Sequence, residues 1–200
     1  MIRADRSGDV LTLIMDRQDK ANSLTAGMLE DLAQAVEGTD AGFLILTGAG
    51  ETVFSAGADL EEAKAGLATS PIWERLSGAV AEFPGLSIAA LNGTMAGGAF
   101  GMALACDLRL AVPAASFFYP VAKLGFLPQP SDPGRLSALV GPARAKLILC
   151  GGARLDAAEA LAFGLVDRIV PDARSAAVEM AVGKAQHVSA IKAMIVAGSS

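Results

Sequence analysis

Short apolar runs that alternate with helical patterns constrain this chain more than any other feature of its sequence. The runs Val10–Met15, Phe43–Thr47 and Leu86–Leu91 are five or six residues long, a length typical of buried strands and too short for buried helices. Between the first two runs, apolar residues recur at helical spacing after Thr25, a predicted N-cap, and stop at Gly38. Strands that alternate with helices predict an α/β fold.

The same alternation continues along the chain. Further helices are predicted over residues 60–66, 72–83, 97–105, 133–140, 142–150 and 156–163 and twice near the C-terminus, with strands over 107–112 and 166–170. No linker, charged block or low-complexity tract interrupts the pattern, so we predict a single domain over residues 1–200. Its core is expected over residues 1–170 and a C-terminal helical segment over 171–200.

Composition and charge exclude several classes of protein. Hydrophobic residues make up 52% of the chain and charged residues 18%, which rules out a disordered chain. The net charge of −5 argues against nucleic-acid binding. Cys106 and Cys150 are too few for a disulfide framework and lack the spacing of a zinc site. The N-terminus has no apolar signal-peptide core, so we predict a cytoplasmic protein.

One uncharged segment, from Phe83 to Cys106, is long enough to span a bilayer. It contains Pro84, Asn92 and five glycines and fits a strand, a turn and a helix better, so we predict no membrane span. The high apolar fraction leaves little polar surface. We therefore expect part of the apolar surface to be buried against other copies of the chain.

Side chains suited to acid–base or metal chemistry are scarce. The one histidine, His187, lies far in sequence from every glycine-rich loop, which argues against a Ser-His-Asp or Cys-His arrangement. No cluster of His, Asp or Glu has metal-ligand spacing, so we predict no metal. Gly48 and Gly50 follow a strand as in a dinucleotide-binding loop, but Val53 stands where a third glycine is required.

Two glycine-rich segments carry the remaining candidates, FSAGADL over residues 54–60 and NGTMAGGAFG over residues 92–101. Glycines just before a helix leave backbone N–H groups exposed, which suits the binding of an anion or a developing oxyanion. Such glycines also allow a helix and a strand to pack closely. Spacing alone leaves both interpretations open.

Taken together, the glycine-rich segments resemble the crotonase (enoyl-CoA hydratase/isomerase) superfamily. The matching segments keep the family order along the chain: DRQDKANSL at 16–24, SAGADL at 55–60, IAALNG at 88–93, GG at 97–98, CD at 106–107, FFYPVAKLG at 117–125 and LDAAEALAFGLVD at 155–167. The resemblance implies a spiral of repeated ββα units with flanking helices. It also implies acyl-CoA substrates, no cofactor beyond the substrate's own coenzyme A, and a homotrimer or dimer of trimers.

The resemblance further implies which residues form the site. The backbone N–H groups of Ala58 and Gly98 would hold the thioester oxygen while an enolate forms. The positions that match the CoA channel and the pocket wall are Lys20, Ala21, Ala56, Asp59, Leu60, Gly97, Gly101 and Val121. Lys20 equally fits a solvated loop lysine, and Asp59 fits a helix N-cap.

Two departures from the family pattern bear on the reaction. Hydratases of the family use two glutamates, and the matching positions here are Gly101 and Val121. Neither side chain transfers protons, so ordinary hydratase activity is not expected. Tyr119 is the first substitute candidate, although a half-buried tyrosine with a satisfied hydroxyl is the more ordinary explanation. Asp132 and Lys123 are further candidates. A helix N-cap is the alternative explanation for Asp132, and a solvated lysine is the alternative for Lys123.

Three functions therefore stay open at the level of sequence. The first is an acyl-CoA enzyme that stabilises an enolate. The second is a decarboxylase of malonyl-type thioesters in which Tyr119 orients the substrate carboxylate. The third is a non-catalytic CoA-binding or assembly protein. The chain also ends soon after Ala190, where longer members continue, so the resemblance implies a short member without the further C-terminal helices.

Overall fold

The strands form two sheets in the computed structural model, which describes residues 1–197. The larger sheet has the order β1-β2-β3-β5-β7-β10, with β1 at Ile2–Ser7, β2 at Val10–Met15, β3 at Phe43–Gly48, β5 at Leu86–Leu91, β7 at Leu108–Ala111 and β10 at Arg168–Ile169. The smaller sheet has the order β4-β6-β8-β9, with β4 at Val53–Ser55, β6 at Thr94–Ala96, β8 at Ser116–Phe118 and β9 at Arg154–Asp156.

Helices follow or flank these strands. They are α1 (Ala26–Glu37), α2 (Leu60–Lys64), α3 (Ile72–Ala81), α4 (Ala99–Ala105), α5 (Val121–Leu124), α6 (Asp132–Val140), α7 (Pro142–Leu149), α8 (Ala157–Phe163), α9 (Ala173–Met180) and α10 (Ala185–Ala197). No helix in this described part of the chain is both long and apolar enough to cross a membrane. The uncharged segment from Phe83 to Cys106 forms the predicted strand as β5 and the predicted helix as α4, with the short strand β6 between them where a turn was predicted.

A repeated unit organises the chain. A strand of the larger sheet leads to a short strand of the smaller sheet and then to a helix in β3-β4-α2, β5-β6-α4 and β7-β8-α5. The pairs β3–β5, β5–β7, β4–β6 and β6–β8 are parallel. The α/β spiral of ββα units predicted from the sequence is therefore confirmed.

The first helix shows how the sequence determines these elements. The Thr25 hydroxyl accepts a hydrogen bond from the Met28 N–H at 3.2 Å and begins α1, which ends at Gly38. Its apolar residues recur at a spacing of three or four positions along one face of the helix. These residues are buried together: Met28, Leu29, Leu32, Ala33 and Val36. A helix that presents one apolar stripe packs that stripe on the core, and α1 packs against α3 in this way.

Several elements carry no pattern that predicts them. The edge strand β1 is mostly exposed and charged, and it pairs with β2 through backbone hydrogen bonds over all six residues. Each strand of the smaller sheet has three residues, too few for a period of two to be visible. The predicted strand over 166–170 shortens to Arg168–Ile169, and the helix predicted from residue 97 begins at Ala99.

Lys192 connects helix α10 to the larger sheet. The Lys192 ammonium donates hydrogen bonds to the carbonyls of Phe83 at 2.8 Å and Gly85 at 3.0 Å, and it pairs with the Asp107 carboxylate at 2.8 Å. These acceptors lie just before the first residues of β5 and β7. The contact therefore ties α10 to the larger sheet by a charged hydrogen-bond cluster.

Candidate active site

The two glycine-rich turns meet at the carboxyl ends of β4 and β6. A Cβ built on Gly57 would lie 2.8 Å from the Ala96 carbonyl oxygen and 3.0 Å from the Gly98 nitrogen. Gly57 also has a φ of +88°, in the left-handed region that favours glycine. Only glycine therefore allows the two backbones to approach this closely.

Two backbone N–H groups at this junction have no hydrogen-bond acceptor among residues 1–197. The Gly57 N–H donates to Ser55 Oγ, and the Asp59 N–H donates to the Leu24 carbonyl. Between them, the Ala58 N–H donates to no acceptor within residues 1–197, and the same holds for the N–H of Gly98. Unpaired donors that border a cavity are available to an incoming oxygen atom.

Both residues border one apolar pocket of about 260 Å³. Seven of the residues predicted for the site line it, namely Ala56, Ala58, Leu60, Gly97, Gly98, Tyr119 and Val121. Trp73 is a lining residue that the sequence did not indicate, because nothing in its helix pattern distinguishes it from a core residue. Its indole ring lies so close to Gly98 that a Cβ there would be 3.0 Å from the ring.

The other predicted binding residues lie outside the lining of this pocket. Lys20 is exposed, and Ala21, with a φ of +51°, accepts a hydrogen bond from the Ala56 N–H at 3.0 Å. This contact holds the first loop beside the pocket wall. Gly101 is buried within α4.

Asp59 is the N-cap of α2, which confirms that interpretation of its role. Its Oδ1 accepts hydrogen bonds from the N–H groups of Glu61 at 3.1 Å and Glu62 at 3.3 Å, and its Oδ2 pairs with Arg17 at 2.7 Å. The hydrogen bond from Arg17 and those from the helix amides lower the pKa of the Asp59 carboxyl. The carboxylate is therefore occupied by its own helix and by Arg17.

Tyr119 is buried and its hydroxyl is directed at Asp132. Only 2% of Tyr119 is exposed, so it is not the half-buried tyrosine expected. Its Oη donates a hydrogen bond to Asp132 Oδ2 at 2.8 Å, and its ring stacks on Phe100 at 5.1 Å. Lys123, in contrast, is exposed and reaches the Gly152 carbonyl at 3.4 Å.

The capping interpretation of Asp132 is wrong. Ser131 is the N-cap of α6, without a side-chain capping bond, and Asp132 is the first helical residue. Its side chain is fully buried and points toward Tyr119 rather than toward the helix amides. A Ser-Asp-Pro sequence predicts a cap from local pattern alone, whereas the surroundings of the carboxylate are Gly101 of α4 and Tyr119, which follows β8.

The Asp132 carboxylate fills the space beside Gly101. A Cβ built on Gly101 would lie 3.0 Å from Asp132 Oδ1, so a larger side chain at position 101 would compete with this carboxylate. Within the described residues, Asp132 Oδ1 has no hydrogen-bond partner. A carboxylate oxygen that is buried without a partner is unfavourable in its charged form.

Burial accordingly raises the pKa of the Asp132 carboxyl to about 6. The hydrogen bond from Tyr119 lowers this pKa, the negative charge of Glu74 raises it, and the positive charge of Arg135 lowers it. Burial and the Asp132 charge raise the pKa of the Tyr119 hydroxyl, so Tyr119 stays protonated at neutral pH.

No group of three or more His, Cys, Asp or Glu side chains in the described chain is arranged to hold a metal ion. The pocket carries the two backbone donors and Tyr119, whose partner Asp132 lies behind it, and the side chains of Lys64 and Gln129 also line it. The donors suit a developing negative charge on oxygen, and the pair suits proton transfer.

The sequence of this chain is similar to members of one protein family. A family model described as enoyl-CoA hydratase/isomerase matches residues 5–199. The chain is 35% identical to YngF of Bacillus subtilis over 166 residues, 78% of this chain and 64% of YngF. It is 36% identical to carnitinyl-CoA dehydratase of Citrobacter koseri over 178 residues, 82% of this chain and 66% of that protein. The chain thus spans about two thirds of the length of these relatives.

Solved structures show the same architecture. DspI of Pseudomonas aeruginosa superposes with a TM-score of 0.88 at 32% identity and covers all of this chain and 87% of DspI. An enoyl-CoA hydratase from Bacillus anthracis superposes with a TM-score of 0.83 at 33% identity, covering 94% of this chain and 76% of that chain.

Proposed function

The chain belongs to the enoyl-CoA hydratase/isomerase family, and we propose that it acts on acyl-CoA thioesters by stabilising an enolate. The observation that carries the proposal is the pair of unpaired N–H groups, at Ala58 and Gly98, on one apolar pocket. Carnitinyl-CoA dehydratase is among the similar proteins, and its name supports a CoA thioester as the substrate class.

The proposed role of the two donors follows from where charge develops. When electrons move from the α-carbon toward the thioester carbonyl, negative charge accumulates on the carbonyl oxygen. Donors that are already in place stabilise this charge without reorganising, and one such donor contributes about 3 kcal/mol to the activation free energy. A backbone donor requires no particular side chain, which agrees with the small residues at positions 58 and 98.

Hydration by two glutamates is not part of the proposal. The resemblance places Gly101 and Val121 at the positions of both carboxylates, and loss of general acid–base groups typically costs 10²–10⁴-fold in rate. We expect any hydration by this protein to use another proton-transfer group and to be slower than the two-glutamate reaction.

The first experiment asks whether the pocket binds and turns over thioesters. Binding of crotonyl-CoA is measured by titration calorimetry, and turnover is measured as crotonyl-CoA hydration and as methylmalonyl-CoA decarboxylation. Binding with turnover of either substrate is the expected result. Binding without any turnover would favour the non-catalytic CoA-binding alternative, and no binding at millimolar ligand would reject the thioester proposal altogether.

The second experiment removes one donor atom. Incorporation of lactic acid in place of alanine at position 58 converts the Ala58 amide to an ester and deletes its N–H alone. We expect kcat to fall about 10²-fold for the active substrate, as for loss of an oxyanion donor, with little change in affinity. The matched control is the same replacement at Ala114, an exposed loop residue away from this pocket. Equal rates for the two esters would contradict the role of Ala58.

A further inference from the structure

The Tyr119–Asp132 pair has a defined hydrogen-bond direction. Tyr119 borders the pocket with Ala58 and Gly98, whereas Asp132 lies behind it and does not line the pocket. The Tyr119 hydroxyl has one proton, and that proton is donated to Asp132 Oδ2 at 2.8 Å. The hydroxyl oxygen of tyrosine also accepts hydrogen bonds. The backbone N–H of Gln129 also donates toward this oxygen and lowers the pKa of Tyr119. With its proton committed to Asp132, the hydroxyl can therefore meet a bound molecule only as an acceptor, through its remaining lone pair, and not as a donor.

The pair is also isolated from other groups that would satisfy the carboxylate. Asp132 is fully buried, and no group within residues 1–197 donates to its Oδ1. On the α4 side the carboxylate meets Gly101, and α4 carries no charged residue. The charged neighbours are Glu74 of α3, which accepts from Ser131, and Arg135 of α6, which donates to Ser131.

We propose that Asp132 is a positioning residue that makes Tyr119 the proton acceptor of this pocket, in place of the carboxylates absent at positions 101 and 121. The inference rests on the proposed thioester function and specifies its substrate class. A water molecule or a hydroxyl group near the acyl chain donates to Tyr119 Oη, so the favoured reaction adds or eliminates water. A substrate carboxylate would instead meet an acceptor oxygen backed by the Asp132 charge, which disfavours malonyl-type thioesters.

In the addition direction the pair takes up one proton and returns it. An O–H bond of water breaks, its proton passes to Tyr119 Oη as the Tyr119 proton passes to Asp132 Oδ2, and the water oxygen bonds to the β-carbon. The electron pair of the carbon–carbon double bond shifts toward the thioester oxygen, where Ala58 and Gly98 stabilise the charge. The α-carbon then receives the proton from Asp132 through Tyr119. One water is added in total, and elimination reverses these steps.

Protonation of Asp132 inverts the arrangement. A protonated Asp132 donates to Tyr119 Oη, and the tyrosine proton is then free to point into the pocket. Because burial raises the pKa of Asp132 to about 6, the acceptor form of Tyr119 predominates above that pH and the donor form below it. Water addition should therefore decline as the pH falls through about 6, and any decarboxylation should increase.

The hydrogen bond can be tested without substrate, because Tyr119 is the one tyrosine of the chain. Protein labelled with carbon-13 at tyrosine Cζ gives a single resonance, which is followed by NMR from pH 5 to pH 8. We expect this resonance to titrate with a midpoint near 6 in the wild type and to lose that titration in Asp132→Asn. Asp31→Asn makes the same chemical change at an exposed position of α1 and should retain the wild-type curve.

Kinetics then tests the role in catalysis. For crotonyl-CoA hydration, kcat/KM of the wild type should rise with pH through about 6 and then level. Asp132→Asn should lower kcat at pH 7.5 about 10²-fold, remove the inflection near pH 6 and leave crotonyl-CoA affinity within about twofold. Tyr119→Phe should lower kcat to a similar extent, and the double variant should lose no more than either single one because the two residues act as one unit.

Several outcomes would overturn the inference. A wild-type rate and pH profile in Asp132→Asn would exclude a role for the carboxylate, and a resonance that does not titrate between pH 5 and pH 8 would exclude the switch. Methylmalonyl-CoA decarboxylation that is faster in the wild type than in Asp132→Asn at pH 7.5 would contradict the substrate class. Wild-type protein that binds crotonyl-CoA but adds no water would refute the proton relay alone, whereas absence of binding would refute the proposed function.

Discussion

At the scale of single residues, Asp132 occupies an energetically unfavourable site. Its carboxylate is fully buried, one of its oxygens has no hydrogen-bond partner in the described part of the chain, and Glu74 adds a repelling charge. Folding into such a site favours the neutral form, in contrast to most acidic groups, whose pKa falls on folding. Unfavourable groups of this kind are concentrated at functional sites, where activity takes precedence over stability.

This placement predicts an unusual pH dependence of stability. The pKa of Asp132 is about 6 in the folded protein and 3.8 ordinarily, which corresponds to about 3 kcal/mol. Between these values the folded protein holds a proton that the unfolded chain has released, so the free energy of unfolding falls as the pH rises from about 4 to 6. Asp132→Asn lacks this loss. As the pH rises from 4 to 7.5, its free energy of unfolding should therefore increase relative to that of the wild type by up to about 3 kcal/mol.

Urea unfolding at pH 4 and pH 7.5 measures this gain, with Asp31→Asn as the control for removal of an exposed charge. A stability difference between Asp132→Asn and the wild type that is the same at both pH values would show that Asp132 has an ordinary pKa. Improved stability combined with reduced turnover would show that the buried charge is retained for activity.

At the scale of elements, the small sheet positions the site. Its strand β4 leads directly into Ala56 and Ala58, β6 leads into Gly97 and Gly98, and β8 leads into Tyr119. These three strands are parallel, so their carboxyl ends lie at one edge, where open α/β sheets bind ligands. Ala58, Gly98 and Tyr119 line one pocket for this reason.

The sequence predicts the larger elements well and the small sheet not at all. Strands β2 and β5 and helix α1 have clear apolar patterns because one face or both faces are buried over at least six residues. Three-residue strands have no visible period, so their pairing depends on the rest of the fold. The resemblance to the family located the segments around Ala58 and Gly98 without showing the sheet that joins them.

The Tyr–Asp pair marks a similar boundary for the site. The sequence indicates Tyr119 as a candidate because it lies close to position 121, where the resemblance implies a carboxylate. The contact with Asp132 joins residues 13 positions apart on separate elements. A local pattern of Ser131, Asp132 and Pro133 favours a helix cap, and the tertiary contact overrides it. The sequence therefore identified both residues as candidates but not the hydrogen bond that gives them a joint role.

The short helix α2 provides a prediction at this scale. It has five residues, too few to be stable alone, and it contributes Leu60 and Ala63 to the pocket wall. Asp59→Ala removes both its cap and the ion pair with Arg17, so amide exchange in α2 should accelerate by roughly fivefold and crotonyl-CoA should bind more weakly. Asp59→Asn keeps a capping oxygen, so its exchange rate and its affinity for crotonyl-CoA should lie between those of the wild type and Asp59→Ala.

Hydrogen exchange with peptide resolution measures the first effect and calorimetry the second. Because Arg17 and the helix amides lower the pKa of Asp59, the stabilisation of α2 should be complete above the ordinary value of 3.8 and decline as the pH falls through the lower folded pKa. An exchange rate in Asp59→Ala equal to that of the wild type would show that other contacts hold α2 in place.

At the scale of the whole molecule, the apolar composition acquires two explanations. Part of it forms the core and the small-residue junction at Gly57 and Gly98, where backbones approach each other. Another part lies on the surface of the described chain as large exposed side chains, including Leu147, Leu161, Val178, Val182, Ile191 and Met194. Scattered exposed apolar residues are ordinary in a monomer, but this chain has a hydrophobic fraction of 52% and only 18% charged residues with which to cover them.

We therefore predict that the protein associates with itself, and the resemblance to the family implies a trimer or a dimer of trimers. Association that buries apolar side chains is insensitive to ionic strength, because salt screens charges but does not weaken apolar burial. Sedimentation velocity and light scattering at micromolar concentration should give a mass several times that of one chain, unchanged between low salt and molar salt. Dissociation by salt would indicate an interface held by charges instead, and a stable monomer under these conditions would show that the exposed apolar residues serve no contact between copies.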